Sequence, residues 1–370
     1  MKFTRRSILK AAPGIIPGIL PGILALGVAP TFLRAEDKAG AKARVLGTGE
    51  HTYEVTHDWL TPPENIRWGN THMLVLDKQH RMYVAHTVHA SSASGDAVCV
   101  FDDAGKFIRS FGPEFRSGAH GLEIRSEGGE EFLYHCDTNR RIFVKTNLQG
   151  KVIWEKSFPK ESGVYNNDDP HGEGEKSPKG FKPTNIALAD NGDFYVADGY
   201  GSSYVHQYNI KGDYLRTFGT PGKELGQLRG PHGIAVDRRD GTERLVVADR
   251  GNGRLQYFSM DGKPVAIVKE PLIRAPCHFD FRGELMLVPD LASIVTILDK
   301  DTKVIVGLGD GRPEVAAYLK ENNVKLREQP RDKFPVGKFV QPHGGRFLPD
   351  GNIVITEWVE VGRISLLRKV

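Results

Sequence analysis

The sequence predicts an all-β fold, a six-bladed β-propeller whose blades have four strands each. Three observations predict it: a recurring strand–turn pattern, a repeat interval of blade size, and a last blade that lacks one strand. Residues 231–237, 245–249 and 255–258 have the pattern of three short strands split by turns, and residues 183–188, 194–198 and 205–208 repeat it. In each copy a further strand follows the next turn, which makes four.

The repeat interval fits a propeller blade. Six copies align at intervals of 48, 64, 48, 46 and 65 residues. A basic unit of about 46–48 residues is typical of a blade, whereas a β-sandwich or a barrel predicts no such recurrence. The aligned positions, called anchors here, open the innermost strands and are His72, His120, Thr184, His232, His278 and His343. The second strands end at His86, Asp137, Asp198, Asp249, Asp290 and Glu357.

The chain end predicts how the ring closes. Only one strand, residues 363–367, follows Glu357, so the N-terminal segment 44–55 is expected to supply the missing strand of the last blade. Two long connections interrupt the repeat, at about 160–180 and at 309–338, and the second contains a predicted helix over residues 313–320. Long loops in compact domains often carry function.

The N-terminus predicts export. Arg5-Arg6 precede an apolar stretch broken by three Pro-Gly pairs, so residues 1–35 are predicted to be a twin-arginine signal peptide. A retained membrane anchor is the alternative, which the Pro-Gly pairs in the apolar stretch disfavour. No later segment approaches the roughly 20 apolar residues that a span needs. We therefore expect residues 36–370 to form a single periplasmic or secreted domain, a monomer without a stable membrane span.

The charge belongs largely to this leader. The whole chain has 50 Lys+Arg against 46 Asp+Glu, a net charge of +4, but without residues 1–35 the balance is 45 against 46, or −1. The mature domain therefore offers no electrostatic case for nucleic-acid binding. Three cysteines in 370 residues also exclude a disulfide-dense scaffold.

The anchors predict a metal site. Strand direction brings the anchors, the second-strand ends and both insertions to one mouth of the central channel. Five of the six anchors are histidine, and the alternate blades contribute His120, His232 and His343. Three imidazoles that converge around an open position are typical of a catalytic Zn²⁺ site, and Fe or Mn also fits this ligand type. His72, Thr184 and His278 are predicted to line the pocket.

Two stretches resemble a known family. Residues KPTNI to YVADGY (182–200) and GPHG to VADRGNGRLQ (230–256) resemble the NHL-repeat propeller of peptidylglycine α-hydroxyamidating lyase. The resemblance implies zinc on His120, His232 and His343. It also implies that Tyr200 acts as the base or the partner of a metal-bound alkoxide, and that Arg250 orients the substrate.

The sequence departs from that family at three points. A substrate-contacting arginine of the first blade would fall near Thr87, where no arginine is present. The aspartate that serves a structural Ca²⁺ is replaced by Gly344, which argues against that ion. The family's disulfide cysteines beside the Tyr200 and Arg250 turns are absent.

Two classes of function remain open. The first is an exported metal-dependent carbon–nitrogen lyase for a small-molecule or peptide substrate that carries an α-hydroxyglycine-like group. The second is a non-catalytic NHL-repeat propeller that binds a peptide, a glycan or a protein. A calcium lactonase-type propeller would prefer Glu, Asn and Asp in the channel, where this chain has histidines.

Overall fold

Six antiparallel sheets form a ring of blades, so the predicted six-bladed propeller is confirmed. The computed structural model describes residues 44–173 and 180–370. The predicted signal peptide, residues 36–43 of the predicted domain and residues 174–179 of the first insertion lie outside these ranges.

The strands follow the predicted cadence. The chain begins with the hairpin β1 (Arg44–Thr48) and β2 (His51–Thr56). The next blades are β3 (Thr71–Leu76), β4 (Met82–His86), β5 (Val98–Phe101) and β6 (Phe107–Phe111), then β7 (Ala119–Glu127), β8 (Glu130–Asp137), β9 (Ile142–Asn147) and β10 (Val152–Lys156), then β11 (Asn185–Leu188), β12 (Phe194–Ala197), β13 (Val205–Tyr208) and β14 (Tyr214–Phe218). A short parallel pair, β15 (Thr220–Pro221) and β16 (Gln227–Leu228), precedes the fourth blade.

The second half repeats this order. Its blades are β17 (Pro231–Asp237), β18 (Arg244–Asp249), β19 (Arg254–Ser259) and β20 (Pro264–Val268), then β21 (Asp280–Arg282), β22 (Leu285–Asp290), β23 (Ile294–Leu298) and β24 (Val304–Leu308), then β25 (Pro342–Phe347), β26 (Ile353–Glu357) and β27 (Arg363–Lys369). We number the blades 1 to 6 in chain order.

The hairpin of β1 and β2 closes blade 6, as predicted, and adds more than one strand. Strand β2 pairs antiparallel with β27, and β1 pairs with β2, so the sheet has five strands in the order β1-β2-β27-β26-β25. The first and last parts of the described chain therefore share one sheet. This closure removes the unpaired edge that a three-stranded last blade would expose.

The core lies between blades. Six clusters of buried apolar side chains fill the six interfaces, one of them between blades 6 and 1, where Leu74 and Val84 pack with Val354 and Ile364. Because each blade is buried against both neighbours, the ring is held by side-chain packing, and the axis is left for polar residues.

The second insertion contains the predicted helix, α1 (Arg312–Asn322), with Pro313 in its first turn and Asn323 in the left-handed conformation (φ 55°) at its end. A small cluster that includes Leu326, Phe334 and Val359 packs this insertion against blade 6. Short 3₁₀ turns lie at Pro113–Phe115, Lys160–Ser162, Arg250–Asn252, Leu326–Glu328 and Arg331–Lys333. Within residues 44–173 and 180–370, no helix is long and apolar enough to span a membrane.

Candidate metal centre

Four anchor histidines sit at β-bulges. The pairing of the innermost strand with its neighbour shifts register around His72, His120, His232 and His343. A bulge bends a strand locally and re-aims the side chain that it carries. Each bulge lies at the beginning of an innermost strand, so the four imidazoles turn toward the channel axis, where all are nearly fully buried.

Three of these histidines contact the backbone of the next blade around the ring. In each, Nδ1 lies within hydrogen-bond distance of a backbone carbonyl. Because a carbonyl only accepts, Nδ1 must carry the proton, and Nε2 presents its lone pair to the channel. The pairs are His120 with Thr184 O at 2.7 Å, His232 with Cys277 O at 2.9 Å, and His343 with His72 O at 3.1 Å.

A glycine follows each of these three histidines and makes the contact sterically feasible. A Cβ on Gly121, Gly233 or Gly344 would lie 2.6, 2.4 or 2.4 Å from the carbonyl oxygen that its neighbouring histidine uses. Real Cβ atoms do not approach so closely. The dipeptide His-Gly therefore combines the ligand with the space that its supporting carbonyl needs, and Gly344 has this role where the resemblance implied a calcium aspartate.

The three imidazoles form a nearly equilateral triangle. Their ring centroids are 4.8 Å (120–232), 4.9 Å (120–343) and 4.7 Å (232–343) apart. The Nε2 atoms of His120 and His232 are 3.2 Å apart. Two nitrogens bound to one metal at about 2.0–2.1 Å are separated by about 2.8–3.4 Å at angles of about 90–109°. The geometry of this pair therefore fits one shared ion.

The protonation state of the cluster also fits a cation. Burial lowers the pKa of His120 to about 3 and holds those of His232 and His343 well below the usual value, with the Arg250 cation adding to the effect. The imidazoles are therefore neutral. The Tyr200 hydroxyl can donate its proton to only one acceptor at a time, so the converging lone pairs outnumber the donor that faces them. A metal ion would satisfy them together.

Tyr200 and Arg250 lie at this cluster. The Tyr200 Oη is 3.2 Å from Nε2 of both His120 and His232. The Arg250 guanidinium lies over the Tyr200 ring at 5.2 Å from its centroid. Burial raises the pKa of Tyr200, and the Arg250 cation opposes this shift.

Arg250 lacks an acidic partner. Its neighbour Asp249 pairs with Arg254 instead, at 2.6 Å. In the part of the chain that the structure describes, no carboxylate lies within ion-pair distance of Arg250, which instead interacts with the Tyr200 phenol and the Cys277 thiol. A largely buried cation in this state is suited to an anionic ligand.

The three expected pocket residues have different positions. His72 joins the cluster, with its ring centroid 4.5 Å from that of His120 and 4.6 Å from that of His343. The Thr184 hydroxyl donates to the backbone, at Ala197 O or Pro231 O, so only its carbonyl serves the site. His278 Nε2 binds Glu123 Oε1 at 2.9 Å.

A charged pair across the channel was not predicted. Arg346 Nη2 lies 2.7 Å from both Glu123 oxygens, and Asp280 pairs with Arg346 Nη1 at 3.2 Å. These residues border a cavity of about 500 Å³. Glu123 and Arg346 each follow an anchor histidine by three residues. A charged residue in an innermost strand was the sequence signal for this pair. The contact itself joins two residues that lie 223 positions apart, so the sequence does not show which charges meet.

The first insertion reaches the Tyr200 turn. Tyr165 Oη lies 2.8 Å from Asp198 Oδ2 and 2.7 Å from His206 Nε2, and all three side chains are buried. Asp198 also accepts hydrogen bonds from the backbone N–H groups of Lys182 and Ser202, each at 2.6 Å. This carboxyl group therefore connects the insertion to the turn that carries the phenol.

Comparisons with known proteins support the propeller fold and a likeness to amidating lyases. No protein-family model matches the chain. The chain is 37% identical over 97 residues to peptidyl-alpha-hydroxyglycine alpha-amidating lyase 2 of Drosophila melanogaster, over 24% of this chain and 23% of that protein. It is 25% identical over 233 residues to lyase 1 of the same name and organism, over 56% of this chain and 40% of that protein.

These matches span less than half the length of the curated relatives. A solved structure described as a streptogramin B lyase superimposes with a TM-score of 0.55 at 13% identity, over 85% of this chain and 97% of that one. At that identity the likeness shows the fold alone. Together the comparisons support a propeller similar to the amidating lyases.

Proposed function

We propose that the chain is an exported, metal-dependent lyase for a small substrate of the α-hydroxyglycine type. The observation that supports this most is the arrangement of the Tyr200 hydroxyl, 3.2 Å from two imidazole Nε2 atoms that share one focus. The relatives named as amidating lyases support the same reaction class. The proposal assigns a role to each residue at this mouth of the channel.

His120, His232 and His343 would hold one metal ion, zinc by the resemblance, with Fe and Mn also compatible with imidazole ligands. When bound, the ion supplies Lewis-acid polarisation of a substrate oxygen. The backbone carbonyls that accept the Nδ1 protons keep the rings in place and in the ligating tautomer. The site is thus built before the ion arrives.

Tyr200 would be the general base toward the substrate hydroxyl. Its Oη faces the focus of the cluster, so a hydroxyl held there is within hydrogen-bond reach. Because burial raises the phenol pKa and Arg250 opposes the shift only in part, the phenolate requires the additional positive charge of the loaded centre. As Tyr200 takes the proton of the hydroxyl, the C–O bond becomes a carbonyl and the C–N bond breaks. The departing amide nitrogen takes up the proton that Tyr200 has removed, so the step consumes no acid or base.

Arg250 would bind the carboxylate of the substrate. It is the cation nearest the phenol, and it has no acidic partner in the described ranges. A guanidinium can bind a carboxylate with two parallel hydrogen bonds, which would orient the carbon that carries the hydroxyl. The products would be glyoxylate and a primary amide.

Metal content and product release test this proposal. Protein purified without chelator is expected to carry about one equivalent of metal, and His120→Ala/His232→Ala is expected to lose it. Tyr200→Phe should retain the metal and release glyoxylate from an N-acyl-α-hydroxyglycine about 100-fold or more slowly than the parent. Tyr318→Phe, which changes a tyrosine of α1 instead, is the matched control. Its metal content and its glyoxylate release should equal those of the parent.

Two results would contradict the proposal. A folded, metal-free protein would favour the non-catalytic binding propeller. A metal-loaded protein whose glyoxylate release survives Tyr200→Phe would contradict the assignment of Tyr200 as the base.

Export is tested separately by Arg5→Lys/Arg6→Lys in a bacterial host with twin-arginine machinery. The precursor is expected to accumulate inside the cell, and unchanged export would contradict the signal assignment.

A further inference from the structure

The odd-numbered blades are unequal at their anchor positions. Thr184 directs its hydroxyl to backbone carbonyls, and His278 directs Nε2 to Glu123. His72 does neither. Its ring touches those of His120 and His343, and its Nδ1 lies 3.4 Å from His343 Nε2. A ring nitrogen of His72 therefore faces a nitrogen of the triangle.

We propose that His72 is a fourth imidazole ligand, so that the centre is a four-histidine site. Ligand nitrogens of His72, His120 and His343 all lie within 4.8 Å of one another. Two nitrogens on one metal at about 2.1 Å can be at most about 4.2 Å apart. His72 Nδ1 and His343 Nε2, 3.4 Å apart, lie within that limit and fit two positions on one ion.

The surroundings of His72 leave it few other roles. It is 4% exposed, and its ring contacts those of His120 and His343. No carboxylate in the described residues pairs with it, so it is not the imidazolium of an ion pair. Moving the Nδ1 proton to Nε2 frees the nitrogen that faces His343 for coordination.

A fourth imidazole changes which metals suit catalysis. Four protein ligands complete a tetrahedral zinc shell, whereas catalytic zinc keeps a position open. A four-histidine centre therefore needs an ion that accepts five or six ligands if substrate is to bind. The inference rests on the metal of the proposed function, not on the lyase reaction.

Cobalt substitution tests His72 without an activity assay. The full chain loaded with Co²⁺ is compared with His72→Gln and with His278→Gln, the blade 5 counterpart. Loss of a ligand should raise the intensity of the visible d–d bands and weaken Co²⁺ affinity by at least about 100-fold in His72→Gln only. Spectrum and affinity equal to those of the parent in a folded His72→Gln would overturn the proposal.

A measurement on the unsubstituted chain covers the case in which His72→Gln does not fold. The paramagnetic Co²⁺ ion shifts the exchangeable imidazole N–H protons of its ligands, so proton NMR counts the histidines. Four such resonances support the inference, and three overturn it. Loss of lyase activity with four resonances present would instead contradict the proposed function alone.

Discussion

Blades 2, 4 and 6 differ from blades 1, 3 and 5 at one position of the innermost strand. In the first set the anchor is a histidine followed by glycine, and a carbonyl of the next blade accepts its Nδ1 proton. In the second set the anchors are followed by Met73, Asn185 and Phe279, and no such pattern recurs. The fold is sixfold, but the His-Gly arrangement is threefold.

This difference shows how one repeat carries two roles. Blades 2, 4 and 6 orient the histidine side chains and fix their tautomers. The other blades provide the accepting carbonyls, and blade 3 also supplies Tyr200 from the turn after β12. Each ligand is thus built from two adjacent blades, so the site depends on the packing between blades and not on any one of them.

Gly233→Ala should break this arrangement most severely. The added Cβ would lie 2.4 Å from Cys277 O, the backbone oxygen that accepts the hydrogen bond from His232 Nδ1. We expect metal affinity to fall by about 100-fold and the free energy of unfolding to fall by about 1–3 kcal/mol. Competition with a chromophoric chelator and urea denaturation measure the two effects.

Gly95→Ala is the control for this substitution. A Cβ there would meet its nearest atom, Pro113 Cβ, at 3.5 Å, an ordinary contact. Metal affinity and stability should both stay near those of the parent. Parental metal affinity in Gly233→Ala would contradict the role assigned to the His-Gly pair.

A second contrast lies at the ends of the second strands of blades 3 and 4. Asp249 is ion-paired with Arg254 at 2.6 Å, whereas Asp198 meets a phenol and backbone N–H groups, with no arginine or lysine side chain within ion-pair distance in the described residues. Asp249→Asn leaves the buried Arg254 without its anion. We expect a loss of about 3–5 kcal/mol in the free energy of unfolding.

Urea denaturation of the parent and the variant measures this loss. A loss below about 1 kcal/mol would mean that the backbone carbonyls around Arg254 already satisfy it, and would remove the contrast with blade 3.

Much of the fold could be predicted because the propeller is a repeat. Four anchors lie at the beginning of an innermost strand, whereas Thr184 and His278 lie one and two residues before theirs. Five of the six second strands end at the predicted residue, and β12 ends one residue earlier. Blade 6 closes through β2, since a missing strand can be counted. The extra strand β1 could not be counted, because its residues 44–48 pair only with the neighbouring hairpin strand. Local pattern does not specify whether such a hairpin adds one strand or two.

The site was partly predictable for the same reason. Register placed His120, His232 and His343 on one axis, and the three His-Gly pairs were visible in the sequence, but their meaning depends on carbonyls 45 to 271 residues away. The Glu123–Arg346 pair and the Tyr165–Asp198 contact also join distant segments. No periodicity predicts contacts made across the channel or by an irregular insertion.

Asp198→Asn tests the blade 3 side of this contrast, where we expect a smaller effect, through the pH dependence of the free energy of unfolding. Burial raises the pKa of Asp198 to about 7, and hydrogen bonds from Lys182 N–H and Tyr165 Oη oppose the shift. Its neighbours do not titrate in this range: burial lowers the pKa of His206 to about 3 and raises that of Tyr165. Asp198 is thus the group in this cluster that changes charge near neutral pH.

Because the folded pKa exceeds the unfolded value of 3.8, the contribution of Asp198 is complete below that value and is lost as pH rises through about 7. The parent should therefore lose stability between pH 5 and 8, by on the order of 1–4 kcal/mol. Asp198→Asn, which is neutral throughout, should lose less over that interval and gain on the parent at pH 8. Parallel pH profiles of the two proteins in urea denaturation would show that the buried carboxyl group is ionised throughout. In that case the attachment of the insertion to the Tyr200 turn would not depend on pH.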